Sequence, residues 1–245
     1  MRALIILNGL ALALVLFINY LSFSLPINGQ TTGEISNQIN VLLTPAGYVF
    51  SIWGLIYVML GLWIIATWLS PVGKKVAGKV GYLFIINALL NISWIFAFHY
   101  ERFILSLFII MALLCVTFII YKRLDDPSLS RLWQIPFSVY LPWVSIATLL
   151  NIGIVLKTFN VPFYVNYEMQ WTTGLLIVLT LSAIWFSIKM NDLIYPLVFI
   201  WAFIGVAVKR AGEYPSITLT AWVMAGVLVI YVVYMMIKKK AVRVV

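Results

Sequence analysis

Along the 245-residue chain, apolar positions gather into eight long runs separated by short polar connections. The runs cover approximately residues 4–25, 46–69, 82–98, 103–121, 133–156, 171–188, 193–208 and 217–237. Each is close to the roughly 20 apolar residues with which a helix crosses a bilayer. None contains an acidic residue, because Glu34, Glu101, Asp125, Asp126, Glu168, Asp192 and Glu213 all fall between runs. A charge at mid-bilayer is costly, and this segregation is what burial in lipid demands. The pattern predicts an all-α fold, a polytopic transmembrane helix bundle of about eight spans. The first run has no clean small-residue cleavage site after it, so it is read as a retained helix and not as a signal peptide.

Composition sharpens this reading. Apolar residues make up 64% of the chain and charged residues 9%, with a mean hydropathy of +1.08. Soluble domains are about half apolar and a quarter charged, so a cytosolic enzyme is excluded. One cysteine, Cys115, and one histidine, His99, leave no material for a disulfide framework or for the usual Cys- and His-based metal centres. The net charge of +9 does not call for nucleic acid, because the cations are distributed by topology. With an even number of spans, one side holds Arg2, Lys74, Lys75, Lys79, Lys122, Arg123, Arg131, Lys189, Lys238, Lys239, Lys240 and Arg243. The other holds only Arg102, Lys157, Lys209 and Arg210. The basic side is the cytoplasmic one, which puts both termini in the cytoplasm and the chain in a plasma membrane. The longest polar stretch, 26–44 (PINGQTTGEISNQINVLLT), then faces outward, as a lid over a site or as a plain connector.

Three runs carry aromatic and polar residues at helical spacing. Phe50, Trp53 and Tyr57 share one face of the second run, with Thr44-Pro45 placed to cap it. Asn87, Asn91 and Trp94 form a stripe in the third; Tyr140, Trp143, Ala147 and Asn151 form another in the fifth. Each stripe alone reads equally as packing, with the amides serving as interhelical glue. Together they describe apolar walls with a few convergent polar groups, a pocket for a flat, largely apolar ligand. His99-Tyr100-Glu101-Arg102 reads as a solvated cluster at a helix end.

These same residues resemble the translocator protein / tryptophan-rich sensory protein family (TspO/MBR). The segment 44–57, TPAGYVFSIWGLIY, is similar to the family's W-x-P-P-x-x-x-F-x-x-x-W-x-x-L-Y, with Pro45, Trp53 and Tyr57 matching in register and Phe50 one position after the pattern's Phe. Leu42, Thr44 and Ile56 replace its leading Trp, first Pro and Leu. NALLNISW (87–94) resembles Q-L-x-L-N-x-x-W, and YLPWVSIATLLN (140–151) resembles P-Y-L-x-W-V-x-F-A-x-x-L-N. The resemblance covers about residues 1–157, a five-helix unit, and 158–245 would add three transmembrane helices beyond it.

The resemblance implies a membrane receptor or sensor that binds a tetrapyrrole such as a porphyrin or haem between its helices. Phe50, Trp53, Tyr57, Asn87, Asn91, Trp94, Trp143, Ala147 and Asn151 would hold that ligand, and no catalytic residue, metal site or resident cofactor is implied. Family members are described as dimers, which extends to a homodimer here. Ile152 stands where a sterol motif needs Tyr, so sterol recognition is not implied. Two alternatives stand beside the receptor: transport of tetrapyrroles or other small hydrophobic compounds, and photochemical modification of porphyrin by the tryptophans. No intramembrane ionisable residue is present to couple transport to an ion, and an enzyme is the less favoured reading.

Overall fold

The computed structural model describes residues 1–24 and 27–243; Leu25, the predicted end of the first run, and Pro26, the start of the polar stretch, lie outside them. The described residues form α1 (Arg2–Ser24), α2 (Thr32–Ile39), α3 (Ile52–Leu69), α4 (Gly73–Val80), α5 (Leu83–His99) and α6 (Phe103–Leu124). After these come α7 (Ile135–Thr158), α8 (Pro162–Val165), α9 (Glu168–Met190), α10 (Tyr195–Arg210) and α11 (Pro215–Arg243), and no strand occurs among them.

The all-helical, polytopic architecture is as the hydropathy pattern requires, and each apolar run becomes one long helix. The chain is an integral membrane protein. About eight spans are expected from the hydropathy pattern, and six to seven candidate spans are found among the described residues. Helices α1, α3, α6, α7, α9 and α11 are long and apolar enough to cross a bilayer, and α4 with α5 adds a seventh only as a pair bent by 57°. Helix α10 has 16 residues, roughly 24 Å at 1.5 Å per residue, against a hydrocarbon core of roughly 30 Å. Hydropathy counts apolar residues and does not measure helix length, which is where the two readings part.

The stretch 26–44 is not a plain loop. Thr31 and Glu34 form a capping box at the start of α2: the Glu34 carboxylate accepts from Thr31 N at 2.7 Å and Thr31 Oγ1 at 2.9 Å, while Thr31 Oγ1 accepts from Glu34 N at 3.2 Å. These bonds hold the Glu34 carboxyl below its ordinary pKa. The start of α3 also differs from expectation. A 3-10 turn occupies Gly47–Ser51, and the helix begins at Ile52. Thr44 Oγ1 is buried without a hydrogen bond and caps nothing. The reason is that Ala46 N already donates to the Gly205 carbonyl at 3.0 Å.

Packing divides the chain into two units, one of Met1–Ile39 and Ser51–Val155, the other of Asn40–Phe50 and the residues from Leu156 onward. In the first unit α1 lies against α3 and α5, α5 against α6, and α4 against α3 and α6. Trp63 stacks on Phe84 at 5.7 Å and meets Phe137 edge-on at 5.8 Å. The turn from α3 into α4 is so close that a Cβ on Gly73 would lie 2.0 Å from the Thr67 carbonyl oxygen. Gly81 then ends α4 at φ +60°, a backbone conformation that side chains disfavour.

In the second unit α9, α10 and α11 pack on one another, and Asn40–Phe50 is tied to them by a buried cation. Arg210, 2% exposed, donates to Leu42 O at 3.0 Å, Asn40 Oδ1 at 3.0 Å and Val41 O at 2.7 Å. Glu168 accepts from Leu42 N at 2.8 Å and from Lys157 Nζ at 2.8 Å, and Lys157 also donates to Asn40 O. Trp201 Nε1 reaches Val49 O at 3.1 Å.

Two substitutions test these contacts by equilibrium unfolding in mild detergent. Gly73→Ala must displace backbone and should cost about 1–3 kcal/mol. Arg210→Gln leaves the buried Glu168 with less compensation and should cost about 3–5 kcal/mol; a loss under 1 kcal/mol would show that the network does not hold this segment.

Candidate functional site

The first unit brings aromatic side chains of α3 and α7 together around an amide of α5. Trp53, half-buried near the start of α3, stacks on Tyr57 one turn later (5.6 Å between centroids, planes 21° apart). It meets Tyr140 at 5.9 Å and Trp143 at 6.1 Å, both edge-on. Tyr140 and Trp143 are buried by α7, whose Pro142 lies between them. Beside these rings sits Asn91, 1% exposed. Its Oδ1 accepts from Tyr57 Oη at 3.4 Å and from Asn19 Nδ2 of α1 at 3.3 Å, and its Nδ2 donates to Tyr140 Oη at 3.3 Å. All three distances lie beyond the usual range for such bonds.

The other predicted ligand residues are placed elsewhere. Trp94 Nε1 donates to Asn151 Oδ1 at 2.9 Å, and Asn151 Nδ2 donates to Ser106 Oγ of α6 at 3.0 Å. The Trp94 ring stacks on Phe98 at 5.1 Å. Asn87 Nδ2 donates to Thr117 Oγ1 of α6 at 2.8 Å, which is interhelical bonding between α5 and α6. Ala147 lies half-buried on α7 between Trp143 and Asn151, and Phe50 belongs to the 3-10 turn of the second unit. The predicted set therefore separates into a cluster of Trp53, Tyr57, Asn91 and Trp143, and two polar rungs that join α5 to α6 and α7.

Asn19 and Tyr140 complete the cluster and were not in the predicted ligand set. Asn19 is signalled in the sequence as an isolated amide within an apolar run, and Tyr140 lies one turn before the Trp143–Ala147–Asn151 stripe. His99 is not part of a solvated cluster, for it is 1% exposed at the end of α5. Its Nδ1 donates to Ile27 O at 3.1 Å and its Nε2 shares a hydrogen bond of 2.8 Å with Thr32 Oγ1. Asn28 Nδ2 donates back to the His99 carbonyl at 3.1 Å. The ring thus ties the 3-10 turn and α2 to the end of α5. A cavity of about 360 Å³ opens elsewhere in this unit, between the end of α3 and the start of α7, and none of the predicted ligand residues lines it.

A family model described as TSPO-like protein matches residues 5–234, so the match runs through α9 and α10 and well into α11. No curated protein and no solved structure matches the chain.

The two kinds of amide should respond differently to replacement. Asn91→Leu removes the shared partner of Tyr57, Tyr140 and Asn19 and should cost about 1–3 kcal/mol. Asn87→Leu should cost about 0.6 kcal/mol, typical of a single interhelical bond in a membrane protein, because Thr117 keeps its bond to Leu113 O. Unfolding of both variants in one detergent checks the order.

Proposed function

The chain belongs to the TspO/MBR family, and from that premise we propose that it is a membrane receptor or sensor for a flat hydrophobic ring compound of the porphyrin or haem type. Family membership and the apolar helices support a membrane sensor- or transporter-type role in general. The observation that carries the finer reading is the gathering of Trp53, Tyr57, Tyr140 and Trp143 around the Asn91 amide.

Indole and phenol rings give a conjugated macrocycle apolar contact and offset or edge-on stacking. Asn91 and the two tyrosine hydroxyls supply donors and acceptors for the ligand's polar substituents. Their present bonds are long and can be exchanged for stronger ones to a carboxylate. Helix α2, tied to α5 through His99, is the segment this reading assigns as cover. With an even number of spans, this reading assigns both termini to the cytoplasm, on the side that carries most of the Lys and Arg residues.

Titration of the purified full chain with protoporphyrin, followed by absorbance, tests the site. Trp53→Ala and Trp143→Ala should each raise Kd about three- to tenfold, whereas Trp222→Ala in α11 should leave it unchanged. Equal affinity in all four proteins would reject the site. In proteoliposomes, a sensor retains porphyrin without net movement; time-dependent efflux would identify a transporter instead.

A further inference from the structure

The connection between α2 and α3 is held at two separate places, and only one of them is charged. At the later one, Ala46 N donates to Gly205 O and Trp201 Nε1 donates to Val49 O. At the earlier one, residues 40–42, Arg210 donates to Asn40 Oδ1, Val41 O and Leu42 O. Glu168 accepts from Leu42 N, and Lys157 Nζ bridges the Glu168 carboxylate and Asn40 O. The proposed ring site uses none of these charged groups. Asn40 is the residue at which α2 stops, for it follows Ile39 directly and takes the left-handed conformation at φ +48°. Asparagine tolerates that conformation better than most side chains, and helices commonly end on it.

Helix α2 needs such an end. It has eight residues, of which Ile35 and Ser36 are buried. Helices shorter than about 12–15 residues are marginal by themselves, so this one depends on what holds its two ends. The Thr31–Glu34 capping box and the His99 contact with Thr32 hold the first. Lys157 and Arg210 hold the last, two cations against the single Glu168 carboxylate, beside the helix end where the partial charge is negative. Arg210 is kept in place by its own helix. Val206 and Ala207, one turn earlier in α10, are buried on the same face, and the guanidinium lies 5.9 Å from the Tyr214 ring.

We infer that Arg210, with Lys157 and Glu168, is a positioning group for ligand access: it latches the last turn of α2, and release of that latch frees the cover of the ring site. The inference rests on the reading of α2 as that cover. It gives the C-terminal helices a part in the proposed function, since Arg210 closes α10 and Glu168 opens α9. Trp53 is not what the latch controls. The attachments at Ala46 and Val49 lie between residues 40–42 and Trp53 along the chain and involve no charged group, so they hold the approach to α3 when Arg210 lets go. A hydrogen bond to a charged group is worth about tenfold in an equilibrium. Losing one raises the open population of α2 by that factor, and with it the rates at which a ligand enters and leaves.

Asn40→Gly tests the latch most gently, because Asn40 is exposed, glycine accepts a positive φ, and the loss is the Oδ1 acceptor for Arg210. Stopped-flow absorbance of the full chain with protoporphyrin should show kon and koff both rising about tenfold, with Kd little changed. Arg210→Lys, which keeps a charge beside Glu168 but not the guanidinium fork, should do the same. Tyr231→Phe, which removes a 2.9 Å bond to Ser187 elsewhere in the second unit, should change neither rate. Amide hydrogen exchange without ligand is the second measurement. Exchange over residues 32–39 should be about tenfold faster in both latch variants and unchanged over 52–69. Rates or exchange equal to wild type in both variants overturn the latch, as does a rise in koff alone. A lowered binding amplitude with unaltered rates marks a merely structural role and overturns it too. Absence of protoporphyrin binding by the wild type would overturn the receptor reading itself, and exchange over 32–39 then still decides whether Arg210 holds α2.

Discussion

Buried polar groups in this chain have no water to turn to, and that requirement orients its helices. Two apolar helices in lipid gain little from one rotation over another, because lipid tails are as apolar as leucine. An amide changes this, since leaving it unpaired in hydrocarbon is costly. Asn87 reaches Thr117 of α6, Asn91 reaches Tyr140 of α7 and Asn19 of α1, and Asn151 reaches Trp94 and Ser106. These bonds fix the angular setting of α1, α5, α6 and α7. That setting turns Tyr140 and Trp143 inward to meet Trp53.

A charged version of the same constraint shapes the second unit. Arg210 is almost fully buried and is surrounded by carbonyl oxygens, with Glu168 and Lys157 completing the set. Residues 40–42 spend their carbonyls on Arg210 and Lys157, and Ala46 spends its N–H on Gly205. Residues 47–51 form a 3-10 turn, with Val49 N donating to Ala46 O at 3.0 Å, and α3 begins at Ile52 despite an apolar pattern from residue 46. Close approach reinforces the arrangement, for a Cβ on Gly205 would lie 2.2 Å from the Val49 side chain. The C-terminal helices thus cradle a segment, 44–50, that carries part of the family motif. The family match reaches residue 234 and so includes these C-terminal helices.

What the sequence disclosed follows from the range of each interaction. The eight long helices were legible because apolar runs of that length have few other solutions. Helix α2 was not legible, because its polar composition made 26–44 read as a connection or lid. Helix α4 was hidden in the same way: Val76, Ala77 and Val80 bury one face while Lys74 and Lys75 stay exposed. Trp53 and Tyr57 were found together because they are neighbours on one helix. The contacts of Asn19 and Tyr140 depend on how separate helices are rotated, which no spacing within one segment encodes. His99 misled because a titratable residue at a helix end is usually wet, and only the folded 27–39 segment covers it.

Bond length sets the Asn91 amide apart from Asn87 where the sequence could not. The Asn87–Thr117 and Trp94–Asn151 bonds are 2.8 and 2.9 Å, near the optimum for their type. The three bonds around Asn91 are 3.3, 3.3 and 3.4 Å, although that amide is equally buried. A hydrogen bond weakens steeply as its geometry departs from the optimum, so the amide centred among the aromatic rings is the one whose partners are most easily exchanged. Asn151 combines two shorter bonds, 2.9 Å from Trp94 and 3.0 Å to Ser106, with a longer one of 3.4 Å to Phe103 O.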